Sequence, residues 1–379
     1  MSLSVYIHFP FCTNLCSYCD FYKCTHKPDE VDLYLDALSQ EMSLAADEID
    51  PDKRIIRTLY IGGGTPSLIS PFQLDDLLHN LKRKYRLDKN LEFSLEANPE
   101  SVTRENLTGY AELGVNRPIF GVQSFDLNAL KKLGRRHRVD DTHRAVYLAR
   151  ALGIENFGID MIFGLPGQTS KLLSRDLQEL INLDPPHVSY YQLTVEPGTT
   201  LARKVADGTI KLPGNDLGAA FYSAINTELK SNGYFRYEVS SFAKPGYECR
   251  HNMTYWDGGE YLGFGPSAHS SLDGVRFANI DDLNEYMTSI NRGERPIKLD
   301  HRDESQRISE TIMLGLRTTR GIDRKSFQSL YGRGLEESLD PKHYETFVKL
   351  GLIEPDEERV RLSEKGLPLA DEIIERLVS

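Results

Sequence analysis

The sequence predicts an α/β protein: an open, partial barrel of six strand–helix units, followed by a smaller, mostly helical domain of winged-helix type. Short apolar runs alternate with amphipathic helical patterns across the first half of the chain, which is typical of strand–helix units around a parallel sheet. The last hundred residues lose this alternation. At 379 residues the chain is long enough for two domains, which we place at residues 1–275 and 276–379.

Six strands are predicted in the barrel. The third run alternates most clearly, with apolar Leu91, Phe93 and Leu95 on one face and polar residues on the other. The predicted strands are 5–9, 56–61, 91–96, 115–122, 157–163 and 187–193. Apolar residues at helical spacing predict helices at 31–42, 74–81, 139–152, 169–182 and 216–231.

The rest of the chain is less regular. A Gly- and aromatic-rich stretch, 233–265, is expected to flank the barrel. Helical patterns at 303–317 and 341–350 then precede a short hairpin and a last helix from about Glu364, an order that resembles a winged helix. Many winged helices bind DNA, but acidic residues in this wing would repel phosphate. They are Glu354, Asp356, Glu357 and Glu358.

Charge and composition narrow the class of protein. A net charge of −11 without a long basic block disfavours nucleic acid as the principal partner. No apolar run is long enough to cross a bilayer. A strand-like segment begins at Val5, which leaves no room for a cleavable leader, so we expect a cytoplasmic protein.

Three of the five cysteines lie close together directly after the first predicted strand, where a tight loop can direct their sulfurs at one point. They are Cys12, Cys16 and Cys19. Three thiolates suit an iron–sulfur cluster. With a fourth ligand from His8, Cys24 or His26 they would instead suit structural zinc.

The cysteine loop and a later glycine run together resemble the radical SAM enzymes. The run, Gly62-Gly63-Gly64-Thr65-Pro66, follows the second predicted strand, where missing side chains let the backbone approach a polar ligand. The resemblance implies a [4Fe–4S] cluster on the three cysteines, with S-adenosylmethionine (SAM) on the iron that they leave open. It also implies that Tyr18 packs near the adenine and that the glycine run contacts the methionine amino group.

Four polar residues fall at or just beyond the ends of predicted strands. They are Glu96, Gln123, Arg135 and Asp160. In barrels of this kind the carboxyl ends of the strands carry the active site. Each residue alone would more often be a solvated loop residue or a helix cap, but as a set they predict one functional rim.

Longer motifs resemble the oxygen-independent coproporphyrinogen III oxidase group over nearly the whole chain. They are Gly-Gly-Gly-Thr-Pro-Ser at 62–67, Glu-Ala-Asn-Pro at 96–99, Gly-Val-Gln-Ser-Phe at 121–125, Leu-Gly-Arg at 133–135 and Gly-Leu-Pro at 164–166. The resemblance implies that Tyr6, Gly63 and Glu96 contact the cluster-bound SAM. The residues that match a second SAM site in the oxidase are Gly64, Thr65, Gln123, Arg135 and Asp160.

Within this group the sequence is more similar to the HemW-type haem chaperones than to the oxidases. The oxidases have a fourth cysteine one residue beyond the third, whereas Cys19 is followed here by Asp20 and Phe21. The longer amino-terminal arm of the oxidases is also missing, since eleven residues precede Cys12. The segment at 251–256 resembles the His-Asn-x-x-Tyr-Trp signature associated with haem binding in the chaperones.

That signature supplies the candidate haem residues. His251 and Cys249 are candidate axial ligands, because imidazole can ligate haem iron. Tyr255 and Trp256 can pack on a porphyrin face. The alternative is that both aromatic residues anchor the core and that His251 is a structural histidine.

The resemblance therefore implies a haem chaperone that binds the cluster, SAM and haem. It would pass haem to acceptor proteins such as membrane respiratory enzymes, through a partner or transient membrane contact, and a homodimer is one expected assembly. The alternative is an oxygen-independent coproporphyrinogen III dehydrogenase of porphyrin biosynthesis, which cleaves SAM and decarboxylates its substrate to protoporphyrinogen IX. The decarboxylase activity is disfavoured, and whether SAM is cleaved stays open. A third alternative is a zinc-stabilised binding protein.

Overall fold

The computed structural model describes residues 3–378. By contacts between residues the chain forms two compact units. The first contains the residues up to Phe221 and Glu260–Asp300, and the second contains Tyr222–Gly259 and the residues from His301 onward. This grouping differs from the predicted division at residue 275 in two segments: residues 222–259 belong to the second unit and residues 276–300 to the first. The division at residue 275 stays a prediction. Residues 276–300 group with the barrel because two strands in this segment extend its sheet.

The strands and helices are numbered here in chain order. The strands are β1 (Leu3–Phe9), β2 (Phe11–Cys12), β3 (Cys24–Thr25), β4 (Ile55–Gly63), β5 (Arg86–Ala97), β6 (Arg117–Gln123), β7 (Gly158–Phe163), β8 (His187–Gln192), β9 (Phe235–Arg236), β10 (Ser241–Ala243), β11 (Tyr261–Phe264), β12 (His269–Leu272), β13 (Val275–Asn279), β14 (Ile297–Asp300), β15 (Ile322–Asp323), β16 (Ile353–Pro355) and β17 (Arg359–Leu362). The helices are α1 (Pro28–Asp47), α2 (Pro71–Lys84), α3 (Arg104–Glu112), α4 (Leu127–Leu133), α5 (Val139–Ala151), α6 (Ser170–Leu183), α7 (Thr200–Ala206), α8 (Asn215–Ser231), α9 (Arg250–Trp256), α10 (Leu283–Asn291), α11 (Glu304–Leu316), α12 (Arg324–Tyr331), α13 (Pro341–Lys349) and α14 (Ala370–Val378).

A large, mostly parallel sheet forms the first unit. Its strand order is β14-β13-β12-β11-β1-β4-β5-β6-β7-β8. The six strands β1 and β4 to β8 follow one another in chain order and pair in parallel, which confirms the predicted strand–helix units. The strand β11 adds to β1 in parallel, and β12 to β14 extend that side as an antiparallel meander.

Local sequence explains why the helices begin where they do. Helix α2 starts after Ser70, whose hydroxyl accepts a hydrogen bond from the Gln73 backbone while the Gln73 side chain accepts one from Ser70. Pro71 occupies the first helical position, where its missing N–H costs no hydrogen bond. The apolar stripe that predicts this helix is buried, with Leu74 and Leu81 fully shielded from solvent.

The second unit contains a small antiparallel sheet of order β15-β17-β16 with helices α11 to α14 around it. Its core includes Ile312, Phe327, Val360 and Leu377. The order helix, hairpin, helix agrees with the predicted winged-helix arrangement. The last helix begins at Ala370 rather than near Glu364, because Leu367–Leu369 forms a short 3-10 turn first.

Among residues 3–378, none of the helices combines the length and apolar character that crossing a bilayer requires.

Candidate functional site

A cavity of about 510 Å³ opens where the parallel strands of the first unit end. Its walls come from the cysteine loop, the turn after β4 and the carboxyl ends of β5 to β8. Eleven of the predicted cluster and SAM residues line it: Cys12, Cys16, Tyr18, Cys19, Gly63, Gly64, Thr65, Glu96, Gln123, Arg135 and Asp160. The residues of the predicted rim therefore lie around one cavity, since the strands that carry them end on one edge of a sheet.

Backbone hydrogen bonds fix the cysteine loop at both ends. Cys12 lies in β2, which pairs in parallel with β3. Further along, the Ser17 N–H donates to the carbonyl of Leu133 at 3.0 Å, and the Leu201 N–H donates to the carbonyl of Ser17 at 2.8 Å. The loop is thus attached to helices α4 and α7 as well as to its own strand.

Two of the three thiols lie in an environment that disfavours their charged form. Burial raises the pKa of Cys12 to about 11 and also raises the pKa of Cys19. Binding to iron would have to displace these protons, as it does for thiolate ligands generally. Within the described part of the chain, no group of three or more His, Cys, Asp or Glu side chains is arranged to hold a single metal ion.

The glycine run is required by close backbone packing. A Cβ atom on Gly64 would lie 2.7 Å from the carbonyl oxygen of Phe11, and Gly63 has φ +111°, a conformation that favours glycine. The N–H groups are used within the protein: Gly64 donates to Phe9 at 2.7 Å and Thr65 donates to Phe11 at 2.9 Å. The run therefore holds the end of β4 against the start of the cysteine loop.

Two partly buried carboxyl groups face the cavity. Glu96, in β5, accepts hydrogen bonds from the Tyr60 hydroxyl at 2.8 Å and from the Gly63 N–H at 3.1 Å. Burial and the nearby Asp160 raise the pKa of Glu96 to about 7. Burial raises the pKa of Asp160 to about 6, against a hydrogen bond from Ser189 that lowers it. Such a pair favours a cationic ligand, because a bound positive charge would stabilise both carboxylates.

Arg135 connects the strand ends to the cysteine loop. Its Nη2 donates to the Asn98 side chain at 2.8 Å and to the carbonyl of Gly121 at 2.6 Å. Its Nη1 lies 3.9 Å from Sγ of Cys16. The guanidinium group is therefore placed to stabilise a thiolate at Cys16.

Gln123 owes its position to an irregularity in β6. The pairing of β6 with β7 shifts register between Gly121 and Gln123, and Gln123 has φ 66°. Asp176, on helix α6, holds the following turn: it accepts from the Ser124 hydroxyl at 2.9 Å and from the Phe125 N–H at 2.8 Å. Sequence reasoning missed Asp176, although an acid on the apolar stripe of a helix was a usable signal.

One predicted SAM residue, Tyr6, lies next to the cavity wall rather than in it. Its hydroxyl is 3.1 Å from Nδ1 of His8, whose Nε2 donates to the carbonyl of Tyr22 at 2.8 Å. Burial lowers the pKa of His8 to about 4, so this histidine is neutral at physiological pH. Tyr6 and His8 thus connect β1 to the segment that follows the cysteine loop.

The cavity also has a wall that the sequence did not indicate as functional. The last residue of β8, Gln192, and the residue after it, Leu193, contribute to this wall, as does Phe21, which follows the cysteine loop and is 67% exposed. Because β8 was predicted as the sixth strand, the strand-end rule alone could have identified Gln192.

The predicted haem residues lie in the second unit, on or next to α9. Cys249 precedes this helix, and His251, Tyr255 and Trp256 are on it. His251 and Cys249 are each 1% exposed, so both are buried. The structure thus brings this group together within the second unit.

His251 is hydrogen-bonded within its own helix. Its Nε2 is 2.7 Å from the Tyr255 hydroxyl, and the two rings meet edge to face with centroids 5.2 Å apart. Burial lowers the pKa of His251 to about 3, which keeps the ring neutral. Neutral imidazole is the form that ligates iron, but here one ring nitrogen already has a partner.

Comparison with known proteins identifies the family. Residues 6–180 match the radical SAM superfamily and residues 303–369 match the HemN C-terminal domain. The heme chaperone HemW of Bacillus subtilis (strain 168) is 39% identical, over 98% of this chain and 97% of that protein. HemW of Haemophilus influenzae is 33% identical over 98% of this chain and 97% of its own length.

A solved structure has the same fold. Coproporphyrinogen III oxidase (HemN) from Escherichia coli, described as a radical SAM enzyme, superimposes with a TM-score of 0.86 at 23% identity, over 99% of this chain and 89% of that chain. At this identity the likeness concerns the fold alone. The similarity in sequence to HemW proteins, in contrast, extends over nearly the full length. The chain therefore belongs to the radical SAM superfamily and, within it, to the HemW family.

Proposed function

We propose that this protein is a haem chaperone that holds a [4Fe–4S] cluster and SAM in the first unit, binds haem through the second unit, and transfers haem to acceptor proteins. The observation that carries the proposal is that three cysteines and the polar residues of four strand ends line one cavity in a chain of the HemW family. We further propose that it works in the cytoplasm as a homodimer and reaches membrane respiratory enzymes through transient contact.

The donor set suits a cluster with one open iron better than zinc. Zinc would need a fourth ligand, but two of the three candidates, His8 and Cys24, have other partners. Both ring nitrogens of His8 are engaged, by Tyr6 and Tyr22. The Cys24 thiol lies 3.8 Å from the carbonyl oxygen of Pro10, and Cys24 is not among the residues that line the cavity.

The cavity also suits SAM, which carries an ammonium group and a sulfonium group. Glu96 and Asp160 would balance these charges, and Tyr18 would pack against the adenine. When bound, the cluster would supply an electron to SAM. The residues of this chain would orient the ligand and limit its contact with water.

For haem we propose His251 as the axial ligand, with Cys249 as the alternative and with Tyr255 and Trp256 as ring contacts. A neutral imidazole suits iron, and the location of all four on or next to one helix suits a single site.

A second candidate is the oxidative decarboxylation of coproporphyrinogen III. It is supported by the cavity itself, which contains every residue that matches the second SAM site of the oxidases: Gly64, Thr65, Gln123, Arg135 and Asp160. Against it stands Phe21, an exposed aromatic residue near the place where the oxidases have a fourth cysteine.

The proposal is tested with protein purified and reconstituted without air. Roughly four iron and four sulfide per chain are expected for one cubane cluster, and zinc without sulfide would contradict the proposal. Haem titration should show weaker binding by His251→Ala with unchanged cluster absorption. The control is His79→Ala, at an exposed position on α2. Formation of protoporphyrinogen from coproporphyrinogen III would favour the second candidate instead.

A further inference from the structure

The second unit contains a cavity of its own, of about 450 Å³. It lies at the end of α8, beside β9 and the hairpin of β16 and β17. The residues that matter for its chemistry are Lys230, Phe235, Arg236, Glu354, Arg361 and Glu364. Neither the cluster nor the SAM residues belong to it.

Arg236 is the unusual residue of this cavity. Its guanidinium carbon lies 4.0 Å from the ring centroid of Tyr222 and 4.6 Å from that of Phe242, so the group packs against two aromatic residues. Its Nε is buried and has no hydrogen-bond partner among the described residues. Burial lowers the pKa of Arg236 to about 10, which leaves the group fully charged at neutral pH.

The two acids in the cavity wall are already matched with other cations. Glu364 pairs with Lys230 at 2.6 Å, and Glu354 pairs with Arg361 at 3.4 Å. Glu238, the carboxylate that most affects Arg236, accepts a hydrogen bond from the Ser240 N–H at 3.1 Å. Arg236 thus forms no ion pair within the described chain, and the cavity contains one cation more than its acids balance.

This arrangement selects an anion with a particular shape. A guanidinium fork fits a carboxylate through two parallel hydrogen bonds. The neighbouring Phe235 is 58% exposed and offers an apolar surface next to the charge. A ligand with a flat apolar body and a carboxylate arm meets both requirements.

The cavity is connected to the helix that carries the haem signature. Thr319 lines the cavity, and the next residue, Arg320, forms an ion pair with Asp257. Asp257 caps the carboxyl end of α9, directly after Trp256. We propose that Arg236 binds a propionate carboxylate of haem in this cavity. The inference rests on the proposed function, since it assumes that haem binds to this unit.

The test compares haem with haem dimethyl ester, whose propionates are uncharged, in titrations of the reconstituted full-length protein. The wild-type protein should bind the ester about tenfold more weakly, as expected for loss of a charge-assisted hydrogen bond. The Arg236→Met variant should bind haem about tenfold more weakly than the wild-type protein does. It should also bind haem and the ester with equal affinity. Arg236→Lys, which keeps the charge and most of the stem, should retain part of the discrimination.

Arg376→Met is the matched control, because Arg376 is an exposed arginine of the same unit that pairs with Glu372. Equal wild-type affinity for haem and ester would overturn this inference alone. The same conclusion would follow if Arg236→Met still bound haem more tightly than the ester. It would also follow if inorganic phosphate displaced the bound ester as readily as it displaces bound haem. A wild-type protein that binds neither ligand would overturn the proposed function and this inference with it.

Discussion

The hydroxyl group of Tyr255 lies 2.7 Å from Nε2 of His251, one turn earlier on the same helix. This is the ring nitrogen that haem iron would use if the histidine ligates through Nε2. Iron and the tyrosine hydroxyl therefore compete for one atom, and haem binding at this nitrogen requires the hydrogen bond to break.

We expect Tyr255→Phe to bind haem more tightly than the wild-type protein. The variant keeps the aromatic ring but removes the competing hydroxyl, and a hydrogen bond of this kind contributes about 0.5–1.5 kcal/mol, or roughly a twofold to tenfold change in affinity. Haem titration followed by absorbance measures the change. The cluster absorption should be unchanged, since α9 belongs to the second unit. Weaker binding would mean that the hydroxyl contacts haem itself.

The second prediction concerns the pH dependence of SAM binding. The pKa of Glu96 is about 7, and its carboxylate is the form that attracts a cationic ligand. SAM affinity should therefore rise by about tenfold from pH 6 to pH 8. Glu96→Gln cannot titrate and should bind SAM weakly with a flatter profile, although Asp160 still contributes. Equilibrium dialysis with the reconstituted protein at several pH values measures this, and an unchanged profile in the variant would contradict the assignment.

The same shift gives a third prediction for the protein without ligands. The pKa of Glu96 rises from 4.5 to about 7 on folding, so the folded state holds the proton more tightly. The resulting stabilisation is complete below pH 4.5 and is lost as the pH rises through about 7. Wild-type protein should lose about 2–3 kcal/mol relative to Glu96→Gln between pH 5 and pH 8. Thermal unfolding of both proteins across this pH range is the measurement. If the stability of the two proteins changes with pH in the same way, the pKa shift of Glu96 is excluded.

The sequence predicts the parallel strands well because each is a short apolar run between turn residues. It does not predict β11 to β14, since these strands are four or five residues long and lie in a stretch rich in glycine. The strand order depends on contacts between distant segments, such as Ser4 with Tyr261, which no local pattern encodes.

The site is predictable to a similar degree. Residues at strand ends meet because all parallel strands point the same way, so Glu96 and Asp160 could be grouped in advance. Positions set by a buried hydrogen bond could not. Tyr6 is one example, since its hydroxyl bonds to His8 instead of lining the cavity.

A fourth prediction concerns the glycine run. In Gly64→Ala the new Cβ would lie 2.7–2.8 Å from backbone atoms of Pro10 and Phe11, which cannot move without shifting Cys12. Overpacking of this kind costs about 1–3 kcal/mol, and we expect a severalfold drop in bound iron after reconstitution. Gly214→Ala is the control, because a Cβ there has no neighbour within 4 Å among the described atoms. Equal iron content in both variants would show that the loop tolerates the shift.

The last prediction tests whether Asp176 positions Gln123. Asp176→Ala removes the acceptor of two buried hydrogen bonds, from Ser124 and Phe125, and should lower the free energy of unfolding by about 2–4 kcal/mol. It should also weaken SAM binding, because the turn that keeps Gln123 at φ 66° loses its anchor. Asp176→Asn keeps an acceptor for the Phe125 N–H and should recover much of both losses.

The stability loss alone would fit a merely structural role, so the decisive measurement is SAM affinity in folded protein below the unfolding transition. Glu179→Ala, on the same helix but with a side chain 43% exposed, should change neither property. If Asp176→Ala is destabilised yet binds SAM like the wild-type protein, the conformation of Gln123 does not depend on this carboxylate. If affinity falls and Asp176→Asn restores it, the hydrogen bonds from α6 to the turn after β6 shape the SAM cavity.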